Sequence, residues 1–325
     1  MKRFLTHVLV FAALLLALSL VLDWAVSSGI RKSQWNDFAE WNDMVSGAAE
    51  SDILVLGSSR AWVHFSPKII GERLGMTCYN LGIDGYPLDM QLARYAIYRE
   101  HAAKPRVIVQ QLDMFSLGLR DDIYGARQFL PYFNEAPLRQ ALRRYTYFAW
   151  YDYLLPLIRY RGHREVVQRG FAELLGLEHY TTPNRRGYLG VEREWSDDLA
   201  AFRKANPEGE TQEIFSSNVD ALEELLTDCA REGIQVVLCY PPEYYQARDI
   251  ILNREEVFAL YRDIARRHGV EFLDYSTDPM CNDTTYFYNS QHLNKQGAEL
   301  FSAQFAERLA QLVGVEGDPA GARTQ

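Results

Sequence analysis

Five short apolar runs, at 52–56, 77–81, 106–112, 234–240 and 271–275, are the feature that most restricts how this chain can fold. Between them lie segments of helical periodicity, at 67–74, 88–101, 212–232 and 254–268, and another at 295–313 closes the series. Antiparallel neighbours can be joined by tight turns, whereas parallel strands need crossovers of a dozen or more residues, usually a helix. The alternation therefore predicts an α/β fold with a mostly parallel five-stranded sheet. The 325 residues suffice for one sizeable core, and 48% hydrophobic with 24% charged residues is an ordinary globular balance. From 114 to about 207 the rhythm gives way to sequence rich in tyrosine and arginine. A structureless loop of that length is improbable in a compact domain, so a largely helical insertion is expected. Residues 28–50 read as a connector, 51–313 as the main domain, and 314–325 as a disordered tail rich in Gly, Pro and polar residues.

Lys2 and Arg3 precede an apolar stretch, residues 4–26, broken mainly by Thr6, His7 and Asp23. Its strongest part, 8–22, falls short of the roughly 20 residues that cross a bilayer core. A cleaved signal peptide is one reading, with Ala25-Val26-Ser27 as the small-residue cleavage site. With Phe4, Leu5 and Trp24 to Val26 included, the segment spans, and Trp24 suits the interface. An uncleaved anchor over residues 1–27 is the preferred reading. Either way the positive flank stays inside, and the expected location is a single pass through the cytoplasmic membrane with the body on the periplasmic side. Trp35 and Trp41 in the connector are expected either on the domain or near lipid headgroups.

A net charge of -9 argues against phosphate-backbone contacts, so nucleic acid is not an expected partner. Cys78, Cys229, Cys239 and Cys281 lack zinc-site spacing, so no metal is expected; an exported location permits disulfides, which the sequence does not pair, and Cys78 and Cys239, inside apolar strand patterns, read as buried free thiols.

Chemistry-bearing residues gather at two distant places. Gly57-Ser58-Ser59-Arg60 ends the first apolar run, where an open α/β sheet presents reactive groups beyond its strand ends. Asn289, His292 and Asn294 stand just before the last helical segment, with Asn294 as its expected N-cap. A serine hydroxyl becomes a nucleophile when a base takes its proton and donors hold the oxyanion. His292 is the candidate base, and Gly85, in the loop after the second run, is a candidate amide donor. Alone, Gly57-Ser58-Ser59 is equally a tight turn, Gly85 a turn glycine and His292 a structural histidine. Arg60 is expected to pair with Asp84 or Asp113, or to bind an anionic group of a glycan.

These blocks resemble the SGNH/GDSL hydrolase superfamily, with Gly57-Ser58-Ser59 in place of Gly-Asp-Ser. The resemblance covers roughly 52–112 and 213–313 and excludes the middle insertion. It implies a flavodoxin-like three-layer α/β/α fold with no cofactor. It also implies Ser59 as nucleophile, His292 as base, and the Ser59 and Gly85 amides as oxyanion donors. Asn289 stands where the family has its aspartate, and Asp283 is a candidate carboxylate to replace it. Asp113, with Gln111 beside it, follows the third run where the family has Gly-x-Asn-Asp. The Ser-Ser variant with an N-terminal anchor is similar to membrane-tethered members that accompany membrane-bound O-acyltransferases, including the one that transfers D-alanine onto teichoic acids. The implied function is an extracytoplasmic acyl esterase or O-acyltransferase acting on acyl esters, acetyl above all, of a cell-surface polysaccharide. The implied partners are that acylated glycan and a membrane-bound O-acyltransferase. The alternative is a weakly active or inactive accessory protein that assists such an acyltransferase.

Overall fold

The computed structural model describes residues 1–35, 38–177 and 186–314. Past Gly314, the tail expected at 314–325 lies outside the described residues. The chain divides into two compact units, residues 49–120 with 184–325 and residues 1–48 with 121–183.

The larger unit holds the sheet: β1 (Ile53–Leu56), β2 (Cys78–Asn80), β3 (Val107–Gln111), β4 (Gln235–Tyr240) and β5 (Glu271–Asp274). Their order is β2-β1-β3-β4-β5 and each neighbouring pair is parallel. Ile53, Val55, Val107, Val109, Val237 and Cys239 face one core, together with Ile70, Leu74, Phe301, Phe305 and Leu309. Successive strand residues point to opposite faces, so the equally buried Leu54, Ile108 and Leu238 point into a second core on the other side. Burial on both faces is why the runs read as continuous apolar stretches.

Seven helices surround this sheet: α3 (Ser59–His64), α4 (Pro67–Leu74), α5 (Leu88–His101), α9 (Asp198–Ala205), α10 (Ser216–Glu232), α11 (Arg254–His268) and α12 (Lys295–Val313). α12 packs on α3 and α4, while α10 packs on α5 and α11, which completes the three layers. The strand order is that of flavodoxin-like sheets. Because β1 lies between β2 and β3, its carboxyl end opens on the crevice where the strand order reverses. Two local readings change. A helix begins at Ser59 itself, with Ser58 as its cap, in place of the tight turn that was one reading of Gly57-Ser58-Ser59. α10 starts at Ser216 rather than 212, because the Gln212 amide donates to Asn253 Oδ1 at 2.9 Å and the Phe215 amide to the Leu117 carbonyl at 3.0 Å. Asn294 caps α12 as expected, its side chain accepting the Gly297 amide at 3.0 Å.

The smaller unit contains α1 (Lys2–Ile30), α2 (Phe38–Ser46), α6 (Ala136–Leu142), α7 (Trp150–Leu154) and α8 (Arg164–Leu174). α1 is long and apolar enough to cross a membrane, a property that signal sequences share. Its apolar residues are exposed as far as Val21, whereas Ala25, Val26, Gly29 and Ile30 are buried. The buried end crosses α8 at two glycines. A Cβ on Gly29 would stand 1.7 Å from the Gly170 carbonyl oxygen, and one on Gly170 would stand 2.6 Å from that of Val26. Trp35 and Trp41 are buried here, and Trp41 stacks on Tyr132 at 5.4 Å, so the core of this unit rather than lipid receives them. Overpacking a close contact costs about 1–3 kcal/mol. Gly170→Leu should therefore destabilise the smaller unit by that amount, measured as faster limited proteolysis within 121–177 than in the wild type.

Candidate active site

Ser59 is the first residue of α3, directly after β1, and Ser58 caps the helix by accepting the Arg60 amide at 3.2 Å. First-turn helix amides have no intrahelical acceptor, so the Ser59 N–H belongs to a group available to a ligand. Half-buried His292 reaches this hydroxyl across 233 residues of sequence, with Nε2 to Oγ at 2.8 Å. His292 Nδ1 meets Asn289 Oδ1 at 2.9 Å. The same oxygen accepts the backbone amides of Gln291 at 3.1 Å and His292 at 2.9 Å. Backbone amides only donate, so the Asn289 atom facing the ring is oxygen. Nδ1 must then carry the proton, and Nε2 presents its lone pair to the serine hydroxyl. That tautomer is the one a general base requires.

The loop carrying this histidine is braced from several sides. Phe287 and Leu293 form an antiparallel bridge, and the Tyr288 amide donates to the His292 carbonyl at 3.0 Å. Tyr288 stacks on the imidazole at 5.4 Å, 8° from parallel. Asp198, at the start of α9, accepts the Ser290 amide at 2.9 Å and its hydroxyl at 3.0 Å. His64, the last residue of α3, accepts the Leu293 amide at 3.0 Å through Nε2. One short helix thus holds Ser59 at its first residue and grips the histidine loop at its last. Asp198 and His64 escaped the sequence reading because neither stands in a motif; both act through partners about ninety residues or more away. Asp283, the carboxylate considered as a substitute for the triad acid, instead accepts the amide and hydroxyl of Thr285 at 2.9 and 2.7 Å.

A buried ion pair lies behind the serine. Arg60 Nη1 donates to Asp113 Oδ1 at 3.0 Å, with both side chains almost wholly buried. Asp113 Oδ2 accepts the Ser58 hydroxyl, and Gln111 Oε1 accepts the Ser58 amide at 2.9 Å. Arg60 Nη2 donates to the carbonyls of Pro241 and Pro242, and the guanidinium lies 4.5 Å over the Tyr240 ring. Of the alternatives for Arg60, pairing with Asp113 is the one found. Burial opposes its charge, but Tyr240, Asp113 and Glu243 outweigh that effect and hold its pKa above the ordinary arginine value. Gln111, at the end of β3, presents its side-chain oxygen to Ser58.

The loop after β2 joins the same rim, since the Ile83 amide donates to the Gly57 carbonyl at 3.0 Å. The glycine pressed against α3 is Gly82, where a Cβ would stand 2.4 Å from the Trp62 amide nitrogen. Gly85 lies three residues on, in a turn at φ +77°, its carbonyl accepting Arg120 Nη1 at 2.7 Å. Beside Ser290 and Gln291 opens a cavity of about 210 Å³ lined by Arg60, Asp113, Phe115, Leu199 and Phe202 among others. Cys78 and Cys239 are buried free thiols, as expected, and so are Cys229 and Cys281.

Neither family models nor curated proteins match the chain. Solved structures similar to it include a candidate platelet activating factor from Streptococcus pneumonia, at 15% identity over 92% of this chain and 99% of that one, TM-score 0.41. Another is a candidate lipolytic protein of the G-D-S-L family from Desulfitobacterium hafniense, at 11% identity over 78% and 97%, TM-score 0.37. A third is an acetyl xylan esterase, at 13% identity over 80% and 98%, TM-score 0.37. At these identities and scores no activity is carried across to this chain.

The His292 imidazole is pushed down to about 3, first by burial and second by the Arg60 guanidinium, so it is neutral at physiological pH. A depressed base stays competent as pH falls until its own pKa is reached. The rate of covalent labelling of Ser59 should accordingly hold level from pH 8 to pH 5. Asn289→Asp sets a negative charge against Nδ1, which raises the pKa and moves the acid limb up towards neutrality. A wild-type limb near the ordinary histidine value of about 6.5 would contradict this assignment. Asp113→Ala leaves a buried guanidinium without its counter-ion, and should cost about 3–5 kcal/mol of stability in denaturant titrations.

Proposed function

We propose that this chain is a membrane-anchored, extracytoplasmic serine acyl esterase or O-acyltransferase of the SGNH type, acting on acyl esters, acetyl above all, of a cell-surface polysaccharide. The observation that carries the reading is the hydrogen bond between Ser59 Oγ and His292 Nε2, with Asn289 Oδ1 holding the opposite ring nitrogen. Ser59 Oγ attacks the acyl carbonyl while its proton passes to His292 Nε2. The Ser59 amide, with Gly85 from the loop after β2, stabilises the oxyanion. His292 then returns the proton to the departing sugar oxygen, leaving an acyl-serine. Water resolves that intermediate in hydrolysis, and a second sugar hydroxyl resolves it in transfer. Arg60 and Asp113 keep Ser58 and α3 in place behind the reacting atoms.

An uncleaved α1 is the reading favoured for the anchor. Asp23 accepts the Leu157 amide at 2.7 Å and pairs with Arg159, and Ala25 and Val26 are buried. Cleavage after Ser27 would remove these contacts from the smaller unit. Lys2 and Arg3 then mark the cytoplasmic end.

One observation favours an accessory role: the residue on His292 Nδ1 is an amide, which orients the ring but does not neutralise the imidazolium formed in turnover. A non-catalytic helper of a membrane-bound O-acyltransferase would retain the fold with such a site. A fluorophosphonate probe separates the two readings. The catalytic reading expects labelling of the wild type, its loss in Ser59→Ala, and an equal loss in His292→Ala, because members of such a unit fail together. Folded wild-type protein that takes no label would overturn it in favour of the accessory role.

A further inference from the structure

The smaller unit exposes apolar side chains that its own core does not use. Tyr147 is 55% exposed, Trp150 69% and Leu154 73%, and Leu155 is exposed beside them. Their position along α1 is set by the residues that follow. The Leu157 amide and the Arg159 guanidinium are bound to Asp23, and the Tyr160 hydroxyl meets Ser27 Oγ at 2.7 Å. Asp23 stands where α1 changes from a bare apolar helix to one buried in the unit, with exposed Trp24 beside it. Two residues of chain reach at most about 7 Å, so Leu155 lies within that distance of Leu157 at the same boundary.

Charge points the same way. Residues 139–169 carry seven arginines against two acidic residues, in a chain whose net charge is -9. Arg143, Arg161 and Arg164 are exposed there, and Arg161 lies 5.7 Å over the Tyr151 ring. An aromatic and aliphatic tip flanked by arginines at the end of a spanning helix suits the headgroup boundary of an anionic bilayer, where tryptophan, tyrosine and arginine each find one apolar and one polar side.

We propose that the 147–155 segment is a second membrane contact, with Trp150, Leu154 and Leu155 seated among acyl chains and Arg143, Arg161 and Arg164 on anionic phospholipid headgroups. This rests on the anchored reading of α1. The contact fixes the tilt of the smaller unit against the bilayer, which a single helix leaves free.

The test uses the full chain, whose four cysteines are buried, labelled with the environment-sensitive fluorophore NBD at Leu154→Cys and separately at Leu14→Cys. Each is reconstituted in phosphatidylcholine vesicles with and without phosphatidylglycerol. The proposal expects Leu14→Cys to be lipid-facing in both. Leu154→Cys should shift to blue emission, be quenched by shallow lipid-borne quenchers, and be protected from iodide when phosphatidylglycerol is present. Replacing Arg161 and Arg164 by Gln should return that label towards water by roughly five-fold per arginine. A lipid-facing label at 14 with a water-facing one at 154 in every vesicle would overturn the proposal and leave the anchor intact. A water-facing label at 14 would overturn the anchor and the proposal with it. Protection at 154 in native membranes but in neither vesicle would assign the surface to a protein partner and reject lipid.

Discussion

Removing a guanidinium from water costs several kcal/mol, and the cost is offset only where good geometry and further hydrogen bonds surround the charge. Arg60 meets that condition with groups from three strand ends. It follows β1 itself, its counter-ion Asp113 follows β3, and its carbonyl acceptors Pro241 and Pro242 follow β4. Asp113 also takes the Ser58 hydroxyl, and its own carbonyl accepts the Tyr261 hydroxyl at 2.6 Å. The carboxyl end of the sheet is therefore held by one charged network, and α3 with its serine is mounted on it. Arg60 Nε and Gln111 Nε2 are buried without a hydrogen-bond partner among the described residues, so the network holds through the ion pair and the carbonyl contacts rather than through full satisfaction.

The same charge acts on the imidazole. Arg60 and burial both disfavour the imidazolium, and no carboxylate at Nδ1 opposes them among the described residues. The result is an imidazole that is neutral at physiological pH and of low basicity. In serine proteases, exchanging the triad aspartate for asparagine costs about 10⁴ in turnover, through the wrong tautomer. Here two backbone amides fix the Asn289 oxygen towards the ring, so the tautomer is right and only the charge stabilisation is missing.

In the smaller unit, the physical demand is different. The end of α1 packs on α8 so closely that neither Gly29 nor Gly170 accommodates a side chain. A helix whose one end is bare and apolar and whose other end is core couples the unit's stability to whatever covers the bare end. The exposed apolar residues of 147–155 precede Leu157 and Arg159, which are bound to Asp23 at the point where α1 becomes buried.

Much of this protein was written locally. The five strands and α12 follow from apolar periodicity and from Asn294, and Ser59, Asn289 and His292 from their places beside those elements, because period and capping depend on neighbours a few residues apart. Whether Ser59 and His292 met, which acid Arg60 chose, that Gly82 rather than Gly85 presses on α3, and that His64 and Asp198 hold the histidine loop were decided only by the tertiary structure. So was the folding of residues 1–48 with 121–183. These are choices among partners far apart in sequence, made by the three-dimensional closure of the sheet and by the need to satisfy each buried charge, and no local pattern of residues encodes them.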